Sequence, residues 1–569
     1  MDLEKVFNPS FYRGDCEEWK DGWEFSFDNV SWQKINVPYC PQSKLSGIGY
    51  TDFIPVCYYR RNFKVDFGEK RCVLHFGAVD YRSIVYINGQ YAYMHVGGFT
   101  PFEVDITDFC KDGENELFLT VFDENKEMPF GKQSWKKNSF GCFYTRTTGI
   151  WQPVWIEYVP ENRVKAFYFY PDVKNVCVTV DLETTGVGKY EIDVLFDGEK
   201  VGQVSGNIRY REKVDVRLNK KMLWSIAQGN LYDVKIRFEQ DEVYSYFGLR
   251  EVCYDGYKFL LNGEEVFQKL VLDQGYNPDG IMTPLSVEMM QRDIDLGRAL
   301  GFNGVRLHQK VFDPRTLYLC DKAGYMVWGE FPSWGLDYSN MDSIGRFLSE
   351  WQETVKRDFN HPSIVIWCPI NEAWGDWIDP TKKRDIRTVE IAYEFTKKLD
   401  TTRPCVDTSG GHHGTKTDLF DFHCYESIDK IKTYLDVLEK DGILDVPLLY
   451  SDNKEKSRYN GKLPVNISEC GGIPFGCKNA GKETETVNEG AVLSEESWGY
   501  GKGETDGDAF VLRYETLMEL IFSYKKLSGM CYTQLYDLEQ EQNGFYNYDR
   551  TDKLTEKQKA EIRKINACR

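Results

Sequence analysis

The chain shows two successive patterns of hydrophobic and polar positions. Up to about residue 255, short runs alternate with a period of two, as in CYYRRNFKV (57–65) and SIVYINGQYAYM (83–94). This alternation places apolar side chains on one face of a strand and polar side chains on the other, so it predicts antiparallel β-structure. Asn88-Gly89 lies between two such runs and is a dipeptide typical of a tight hairpin turn.

Two β domains are predicted in this part of the chain. Residues 1–160 contain no strong amphipathic helix, and we interpret them as a β-sandwich. Residues 161–255 continue the pattern, with Asp197-Gly198 as a further hairpin signal. Roughly seven short strands are typical of an immunoglobulin-like sandwich, and we expect that fold here.

From about residue 256 the pattern changes to alternating strands and helices. Amphipathic helical stretches such as LSVEMMQRDIDLGRAL and RFLSEWQETVKRDF separate short apolar runs. Eight such runs predict a closed (β/α)₈ barrel over residues 256–569. The runs are QKLVLDQG (268–275), NGVRLHQK (303–310), MVWGEFP (326–332), IVIWCPINE (364–372), PCVDTSG (404–410), DLFDFHCYE (418–426), VNISECGG (465–472) and GMCYTQLYD (529–537).

Composition narrows the classes of function. The net charge is −19, with no cluster of basic residues, so we expect no nucleic-acid partner. No apolar run approaches the ~18 residues of a membrane span, so we expect no membrane association either. The start, MDLEKVFNPSFYRGD, lacks the features of a signal peptide, and the 16 cysteines are scattered without CxxC spacing. These features predict reduced thiols and a cytoplasmic location.

Candidate chemistry lies where the barrel strands end, because active sites of this fold lie at the carboxyl ends of the strands. Glu372 ends the fourth apolar run and Glu469 ends the seventh, before a Gly-Gly pair. Strands four and seven lie across the barrel mouth from each other, so the two carboxylates can converge on one bond. A pair ~5–5.5 Å apart is the arrangement of retaining glycosidases.

The chain resembles glycoside hydrolase family 2, the group that contains β-galactosidases and β-glucuronidases. The resemblance implies a jelly-roll sugar-binding domain, an immunoglobulin-like domain, a catalytic TIM barrel and retention of anomeric configuration. It rests on GGFTPFEVDIT (97–107), LNGEEVFQKLVLDQG (261–275), DIDLGRALGFNGVRLH (293–308), NHPSIVIWCPINEAWG (360–375) and ISECGG (467–472).

The same resemblance implies roles for individual residues. Glu372 is expected to be the general acid/base, Glu469 the nucleophile, and Asn371 the ligand of the sugar 2-hydroxyl. Tyr425 is placed to donate a hydrogen bond to the nucleophile. The further candidates for sugar contact are Asp273, His308, His423, Trp374, Trp498 and Gln534, with Arg306, Lys310, Trp328 and Trp334 as other residues of the barrel mouth.

The glycone is predicted to be neutral. The β-glucuronidases carry an Asn-x-Lys signature after the last strand, whereas this chain has EQNGFYNYDR (541–550) without a lysine. Burying an anionic sugar without a cation is costly, although Lys310 or Arg306 could meet a carboxylate from another wall. Asp273 is expected to bind the 4- and 6-hydroxyls, which favours a β-galactoside-like substrate.

The prediction is therefore a retaining exo-β-glycosidase that acts on a small glycoside or oligosaccharide. A β-glucuronidase or β-galacturonidase is the alternative within the class, and a catalytically silent carbohydrate-binding protein or a scaffold is the alternative outside it. No cofactor and no metal are expected, since the adjacent His412 and His413 do not have the spacing of a metal site. A homo-oligomer is possible on the family pattern.

Overall fold

The computed structural model of the 569-residue chain describes residues 1–14, 16–66, 68–123, 128–373, 385–446, 449, 458–459, 461–476 and 497–569. Trp374 lies outside these residues. No helix among the described residues combines the length and apolar character that a membrane crossing requires. The fifteen described cysteines are all free thiols.

The first unit packs a four-stranded and a six-stranded antiparallel sheet around one apolar core. The strand orders are β1-β12-β5-β9 and β3-β2-β4-β10-β7-β8. Asn88 and Gly89 join β7 to β8 with φ of 51° and 76°, the positive values that a type I′ hairpin turn requires. The strands are β1 (Cys16–Glu18), β2 (Trp23–Ser26), β3 (Gln33–Lys34), β4 (Val56–Val65), β5 (Arg71–Phe76), β6 (Val79–Asp80), β7 (Arg82–Ile87), β8 (Gln90–Val96), β9 (Phe102–Asp105), β10 (Gly113–Phe122), β11 (Gly149–Ile150) and β12 (Val154–Val159), with 3₁₀ turns at Lys44–Ser46 and Thr107–Phe109.

The second unit has a separate core and is built from five long strands. They are β13 (Val164–Asp172), β14 (Cys177–Phe196), β15 (Glu199–Arg217), β16 (Tyr232–Phe238) and β17 (Asp241–Phe247). The register of β14 against β15 shifts between Glu183 and Val187. Before the shift β14 pairs with β13, and after it β14 pairs with β16. Five strands form instead of the roughly seven expected, because β14 and β15 each continue through this register shift where a break between two strands was expected.

The third unit is the barrel, preceded by a small three-stranded sheet. Val252 and Phe259 of that sheet pack against inward-facing barrel side chains such as Trp328. The strands are β18 (Val252–Asp255), β19 (Lys258–Leu261), β20 (Glu264–Glu265), β21 (Gln268–Asp273), β22 (Gly304–Leu307), β23 (Met326–Glu330), β24 (Ile364–Cys368), β25 (Phe420–Cys424), β26 (Val465–Gly471) and β27 (Leu527–Thr533). The helices are α1 (Val287–Ala299), α2 (Pro314–Ala323), α3 (Met341–Asp358), α4 (Ile386–Leu399), α5 (Ile428–Asp441), α6 (Gly507–Ser523) and α7 (Glu556–Asn566).

The barrel strands are all parallel and follow the order β24-β23-β22-β21-β27-β26-β25. The fifth predicted run makes only isolated parallel bridges to the fourth, at Trp367–Cys405 and Asn371–Ser409. Seven continuous strands and one bridged segment therefore occupy the eight predicted positions. The parallel arrangement brings the carboxyl ends of all strands to one mouth.

Local sequence signals explain where the helices begin and end. The side chains of Ser286 and Asp313 cap α1 and α2 by accepting from backbone N–H groups. Thr555 and Gln558 form a capping box at the start of α7. The predicted multidomain fold with a C-terminal barrel is confirmed, while the assignment of the two sandwiches as jelly-roll and immunoglobulin-like stays a prediction.

Candidate active site

Glu372 lies at the barrel mouth, just beyond β24. Its backbone N–H donates to the carbonyl oxygen of Ser409 at 2.7 Å, which fixes this segment against the fifth run. The φ of Glu372 is +46°, a left-handed value that residues other than glycine rarely adopt. Backbone held in such a region by its surroundings is common at functional sites.

Glu469 lies near the end of β26 and is surrounded by hydrogen-bond donors. Arg306 Nη1 donates to Glu469 Oε1 at 2.7 Å, and the Tyr425 hydroxyl donates to Oε2 at 2.5 Å. Burial alone would raise the pKa of Glu469, but the positive charges of His423 and Arg306 more than offset it. The pKa of Glu469 is therefore lowered, and the carboxylate is held ionised.

His423 connects the two glutamates. Its Nδ1 lies 2.5 Å from Glu372 Oε1, and its Nε2 lies 3.4 Å from Glu469 Oε1. Burial would lower the pKa of His423, yet Glu469 and Glu372 raise it overall. One oxygen of Glu372, one nitrogen of His423 and one oxygen of Glu469 lie within 4.8 Å of one another. That separation fits the ~5–5.5 Å of retaining glycosidases rather than the ~6.5–9.5 Å of inverting ones.

A histidine between two carboxylates is also a grouping that could hold a metal ion. His423 Nδ1 and Glu372 Oε1 are already hydrogen-bonded to each other at 2.5 Å, so these two atoms are paired directly in this structure. The expectation of a metal-free site stays a prediction.

Arg306 organises the floor of the site and is completely buried. Its Nη2 donates to Asn371 Oδ1 at 2.6 Å and also lies 2.7 Å from Glu330 Oε2. The amide nitrogen of Asn371, Nδ2, is buried and has no acceptor among the described residues. One guanidinium thus fixes Glu469 and orients Asn371 so that a donor remains available beside the glutamates.

His308 lies below the same carboxylates. Its Nδ1 is 2.9 Å from Glu330 Oε1, and its Nε2 is 3.9 Å from Glu469 Oε1. Burial first, and then the nearby charges of Lys132 and Arg306, lower the pKa of His308 well below its ordinary value. His308 is therefore held neutral under the nucleophile.

One wall of the site comes from the first unit. The segment 128–148 reaches the barrel mouth, where Phe130 N and Gly131 N donate to the carbonyl oxygen of Trp334. Gly131 has φ of +62°, and a side chain there would meet the carbonyl oxygen of Gln309 at 2.5 Å. Lys132 follows directly, with its ammonium 3.8 Å from the centre of the Trp334 ring. The glycine allows the approach that places this lysine in the site.

A ring of hydrogen bonds forms a second wall beyond β27. Gln534 accepts from Gln274 Nε2 at 2.9 Å and donates to Asn543 Oδ1 at 2.9 Å. Asn543 Nδ2 donates to Glu541 Oε1 at 3.0 Å. The Tyr144 hydroxyl closes the ring by donating to Glu541 Oε2 and accepting from Gln274. The predicted contact residue Gln534 is thus a member of a network that holds Glu541.

Asp273 and Lys310 do not join the glutamates, and the role of Asp273 in sugar binding stays a prediction. The carboxylate of Asp273 accepts from the Tyr536 hydroxyl and from Gly275 N, and burial raises its pKa to about 6. Lys310 Nζ donates to the carbonyl oxygens of Gly275 and Met282. Both side chains line a cavity of about 30 Å³ that residues of α1 and α2 also line.

The tryptophans have mixed roles. Trp498 is buried, and its Nε1 donates to the carbonyl oxygen of Gly141 at 2.7 Å, so it ties the first-unit segment to the barrel. Trp334 Nε1 donates to the carbonyl oxygen of Asn371 at 3.0 Å and forms part of the wall. Trp328 lies in the barrel core below the site.

His413 is structural. Its ring lies between Asp407, at 2.7 Å from Nδ1, and Asp421, at 3.2 Å from Nε2. Burial would lower the pKa of His413, but the two carboxylates raise it to about 10. The charged imidazolium therefore fixes the turn after the fifth run.

Sequence reasoning missed the contribution of the first unit. Lys132, Tyr144 and Cys142 lie in a loop of a β domain, and a search of barrel strand ends cannot find them. The closest signal is the segment MPFGKQSW (128–135), in which a glycine precedes a lysine among aromatic residues. The sequence offers no signal for Glu541 beyond its place in the segment EQNGFYNYDR (541–550).

A parallel barrel with two carboxylates at this separation defines the class of glycosidase barrels. Family models agree with it. "Glycosyl hydrolases family 2, sugar binding domain" matches residues 35–157, and "Glycosyl hydrolases family 2, TIM barrel domain" matches residues 256–456. The chain belongs to glycoside hydrolase family 2.

Individual relatives carry several names. A β-galactosidase of Thermoanaerobacter pseudethanolicus is 29% identical over 417 residues, which are 68% of this chain and 53% of the relative. A β-glucuronidase of Rattus norvegicus is 26% identical over 443 residues, 71% of this chain and 65% of the relative. The chain spans about half the length of the first curated relatives that it matches.

Solved structures resemble the whole chain in fold. A β-D-glucuronidase of Dictyoglomus thermophilum superposes with a TM-score of 0.77 at 18% identity, over 99% of this chain and 98% of the other. A β-galacturonidase of Eisenbergiella tayi superposes with a TM-score of 0.75 at 19% identity, over 98% of this chain and 97% of the other. At these identities the likeness establishes the fold alone.

Proposed function

We propose that the protein is a retaining exo-β-glycosidase that hydrolyses a terminal β-linked sugar from a small glycoside or oligosaccharide. The observation that carries the proposal is the placement of Glu372 and Glu469 within 4.8 Å of each other through His423. Family membership supports the same chemistry. The names of the relatives include β-galactosidase, β-glucuronidase and β-galacturonidase, so the family does not choose the glycone.

Glu469 acts as the nucleophile. Its lowered pKa keeps it ionised, and the donors Arg306 and Tyr425 hold its two oxygens in place. Attack of a Glu469 oxygen on the anomeric carbon forms a glycosyl-enzyme ester as the glycosidic C–O bond breaks. Water then cleaves the ester, so two inversions give net retention.

Glu372 acts as the general acid and then as the general base. It donates its proton to the leaving glycosidic oxygen in the first step and takes a proton from water in the second. His423 is the group that can supply or hold a proton next to it, because its Nδ1 lies 2.5 Å from Glu372 Oε1. Asn371 Nδ2, which is buried and has no acceptor among the residues that the structure describes, suits the sugar 2-hydroxyl.

A neutral, β-galactoside-like glycone is part of the proposal, with a β-glucuronide or β-galacturonide as the alternative. Asp273 accepts from Tyr536 and Gly275 and makes no contact with the described catalytic groups, so the support for a neutral sugar comes from Glu541. Glu541 is buried within Coulombic range of Glu469, and a second carboxylate brought between them would be opposed by both charges.

The organisation of the chain enters the same proposal. We assign a jelly-roll domain to residues 1–160, an immunoglobulin-like domain to 161–255 and the catalytic barrel to 256–569. The segment 128–148 makes the first domain part of the active site rather than a separate sugar-binding module.

The test is hydrolysis of a panel of para-nitrophenyl β-glycosides with the wild-type protein, Glu469→Ala and Glu372→Ala. Wild-type turnover should fall by more than ~10³-fold in Glu469→Ala, as expected for loss of a covalent nucleophile. Azide should restore product formation in Glu372→Ala as a β-glycosyl azide, since azide needs no general base. Rates in Glu469→Ala equal to those of the wild type would refute the assignment. No turnover of any glycoside by a folded wild-type protein would favour a silent binding protein.

A further inference from the structure

Lys132 is a buried cation that has no acidic partner in direct contact among the described residues. The residue is 7% exposed. Its backbone is fixed, because its carbonyl oxygen accepts from Tyr144 N at 2.8 Å. Among the described residues the ammonium stacks on Trp334, and no hydrogen bond or ion pair to it is found.

The charges around this ammonium are acidic. Burial would lower the pKa of Lys132, but Cys142, Glu541 and the two catalytic glutamates raise it overall. Lys132 therefore remains a charged triple donor in a largely buried place. Leaving such a group unpaired is costly, so the site is built for a ligand that accepts hydrogen bonds from it.

Glu541 is a buried acceptor connected to Lys132 through Tyr144, whose backbone N–H donates to the Lys132 carbonyl oxygen and whose hydroxyl donates to Glu541. It is 2% exposed, and Tyr144 and Asn543 hold its two oxygens in place. An ionised carboxylate has about four lone-pair directions, so both oxygens can still accept from a ligand. Burial raises the pKa of Glu541 above its ordinary value, with Lys132 opposing that shift.

A ligand group placed between the two must accept from Lys132 and donate to Glu541. A sugar hydroxyl does both, and a vicinal pair of hydroxyls does so with one contact each. A uronate carboxylate can only accept, so it would meet Glu541 as a like charge in a buried site.

We propose that Lys132 from the first unit and Glu541 from the barrel together bind the hydroxyls of a neutral glycone and exclude a uronate. This inference rests on the proposed function, since it concerns the glycone of that reaction. It assigns substrate selection to a pair that spans two domains, with Lys132 and Glu541 as specificity-determining residues.

The experiment uses the full-length protein and the glycone that the wild type hydrolyses fastest in the panel. Wild type, Lys132→Met and Glu541→Gln are compared on the parent glycoside and on its 3-, 4- and 6-deoxy analogues. Lys132→Met should lower kcat/KM on the parent about 10- to 100-fold, the range for one charged hydrogen bond. On the analogue without the hydroxyl bound by Lys132, the same substitution should change kcat/KM less than about threefold. Glu541→Gln should likewise lower kcat/KM on the parent glycoside. It should have little effect on the analogue that lacks the hydroxyl bound by Glu541, which is either the same analogue or the one that lacks the adjacent hydroxyl.

Binding of isofagomine and of its uronate counterpart, measured by calorimetry, provides a readout that does not need turnover. The wild type should bind the neutral compound more tightly, and Glu541→Gln should shift the ratio at least tenfold toward the uronate. Lys165→Met, which removes an exposed lysine paired with Glu183 in the second unit, serves as the matched control. Melting temperatures confirm that each variant is folded.

Three results would overturn the inference while leaving the glycosidase assignment intact. The first is an equal penalty of Lys132→Met on the parent and on every deoxy analogue. The second is tighter wild-type binding of the uronate, lost in Lys132→Met, which would make Lys132 a carboxylate ligand. The third is a neutral-to-uronate ratio unchanged by Glu541→Gln. Failure of the proposed function would instead appear as no turnover by the wild type.

Discussion

The hydroxyl of Tyr425 is a single atom whose removal tests the proposed nucleophile. It donates to Glu469 Oε2 at 2.5 Å and lies 2.9 Å from Thr533 Oγ1. In Tyr425→Phe the ring should keep its place, because it stacks on Tyr500 with centroids 3.5 Å apart and planes 4° from parallel. The substitution therefore removes a donor and little packing.

The expected loss follows from the type of hydrogen bond. Hydrogen bonds to charged groups contribute about 1.5–3 kcal/mol, and each ~1.4 kcal/mol is tenfold in rate. We expect kcat/KM to fall about 10- to 150-fold for glycosides with poor leaving groups, whose first step is slowest. Arg306 remains on Oε1, so the loss should stay far below that of Glu469→Ala.

The pH profile gives a second, independent readout. Glu469 must be ionised to react, so activity is present above its pKa and is lost as the pH falls through it. A hydrogen bond to the ionised form lowers a pKa, so removing one raises it. The acidic limb of the kcat/KM profile should therefore move to higher pH in Tyr425→Phe.

The control is Tyr514→Phe. Its hydroxyl is also buried and donates to Asn566 Oδ1 at 2.7 Å, but it lies between helices away from the glutamates. It should affect stability and leave kcat/KM and the acidic limb unchanged. A Tyr425→Phe protein with kcat/KM within twofold of the wild type and an unmoved limb would refute the reasoning.

Two further predictions concern stability. Burial raises the pKa of Glu350 to about 8 in the folded protein, so the carboxyl group stays protonated there at neutral pH. In the unfolded chain the same group loses its proton at a much lower pH. The free energy of unfolding of the wild type should therefore decrease from pH 5 to pH 8 by up to about 4 kcal/mol more than that of Glu350→Gln. Urea unfolding at the two pH values measures this difference, and an equal change in both proteins would contradict the prediction. Arg13 binds buried carboxylates of both β units, so Arg13→Met should cost about 3–5 kcal/mol in urea unfolding. Arg387→Ala, which removes an exposed ion pair, should stay within about 0.5 kcal/mol, and equal losses in the two variants would refute the estimate.

Much of the fold was predictable because its signals are local. Apolar runs of strand length, caps such as Ser286 and the turn at Asn88-Gly89 each act within a few residues. The continuity of β14 and β15 was not predictable, since a bend within a strand and a turn between strands have similar local sequences.

The candidate site also contains residues that the sequence predicts and residues whose position depends on packing. Glu372 lies just beyond β24 and Glu469 near the end of β26, so the parallel topology brings them together once the barrel is recognised. Asp273 is the last residue of β21, but its carboxylate accepts from the Tyr536 hydroxyl and does not join the glutamates. A position at a strand end predicts proximity to the site, whereas the direction of the side chain depends on the packing around it.

The sequence by itself determined the order of two β units and a barrel, the pair of glutamates and the family, because these depend on periodicity and on short motifs. Only the tertiary structure decided that Lys132 lies in the active site. The loop that carries it is far from the barrel in sequence, and Gly131 lets it pack against Gln309 only in the folded chain. Long-range packing of this kind leaves no periodic signal, since the partners are set by how two separate cores dock.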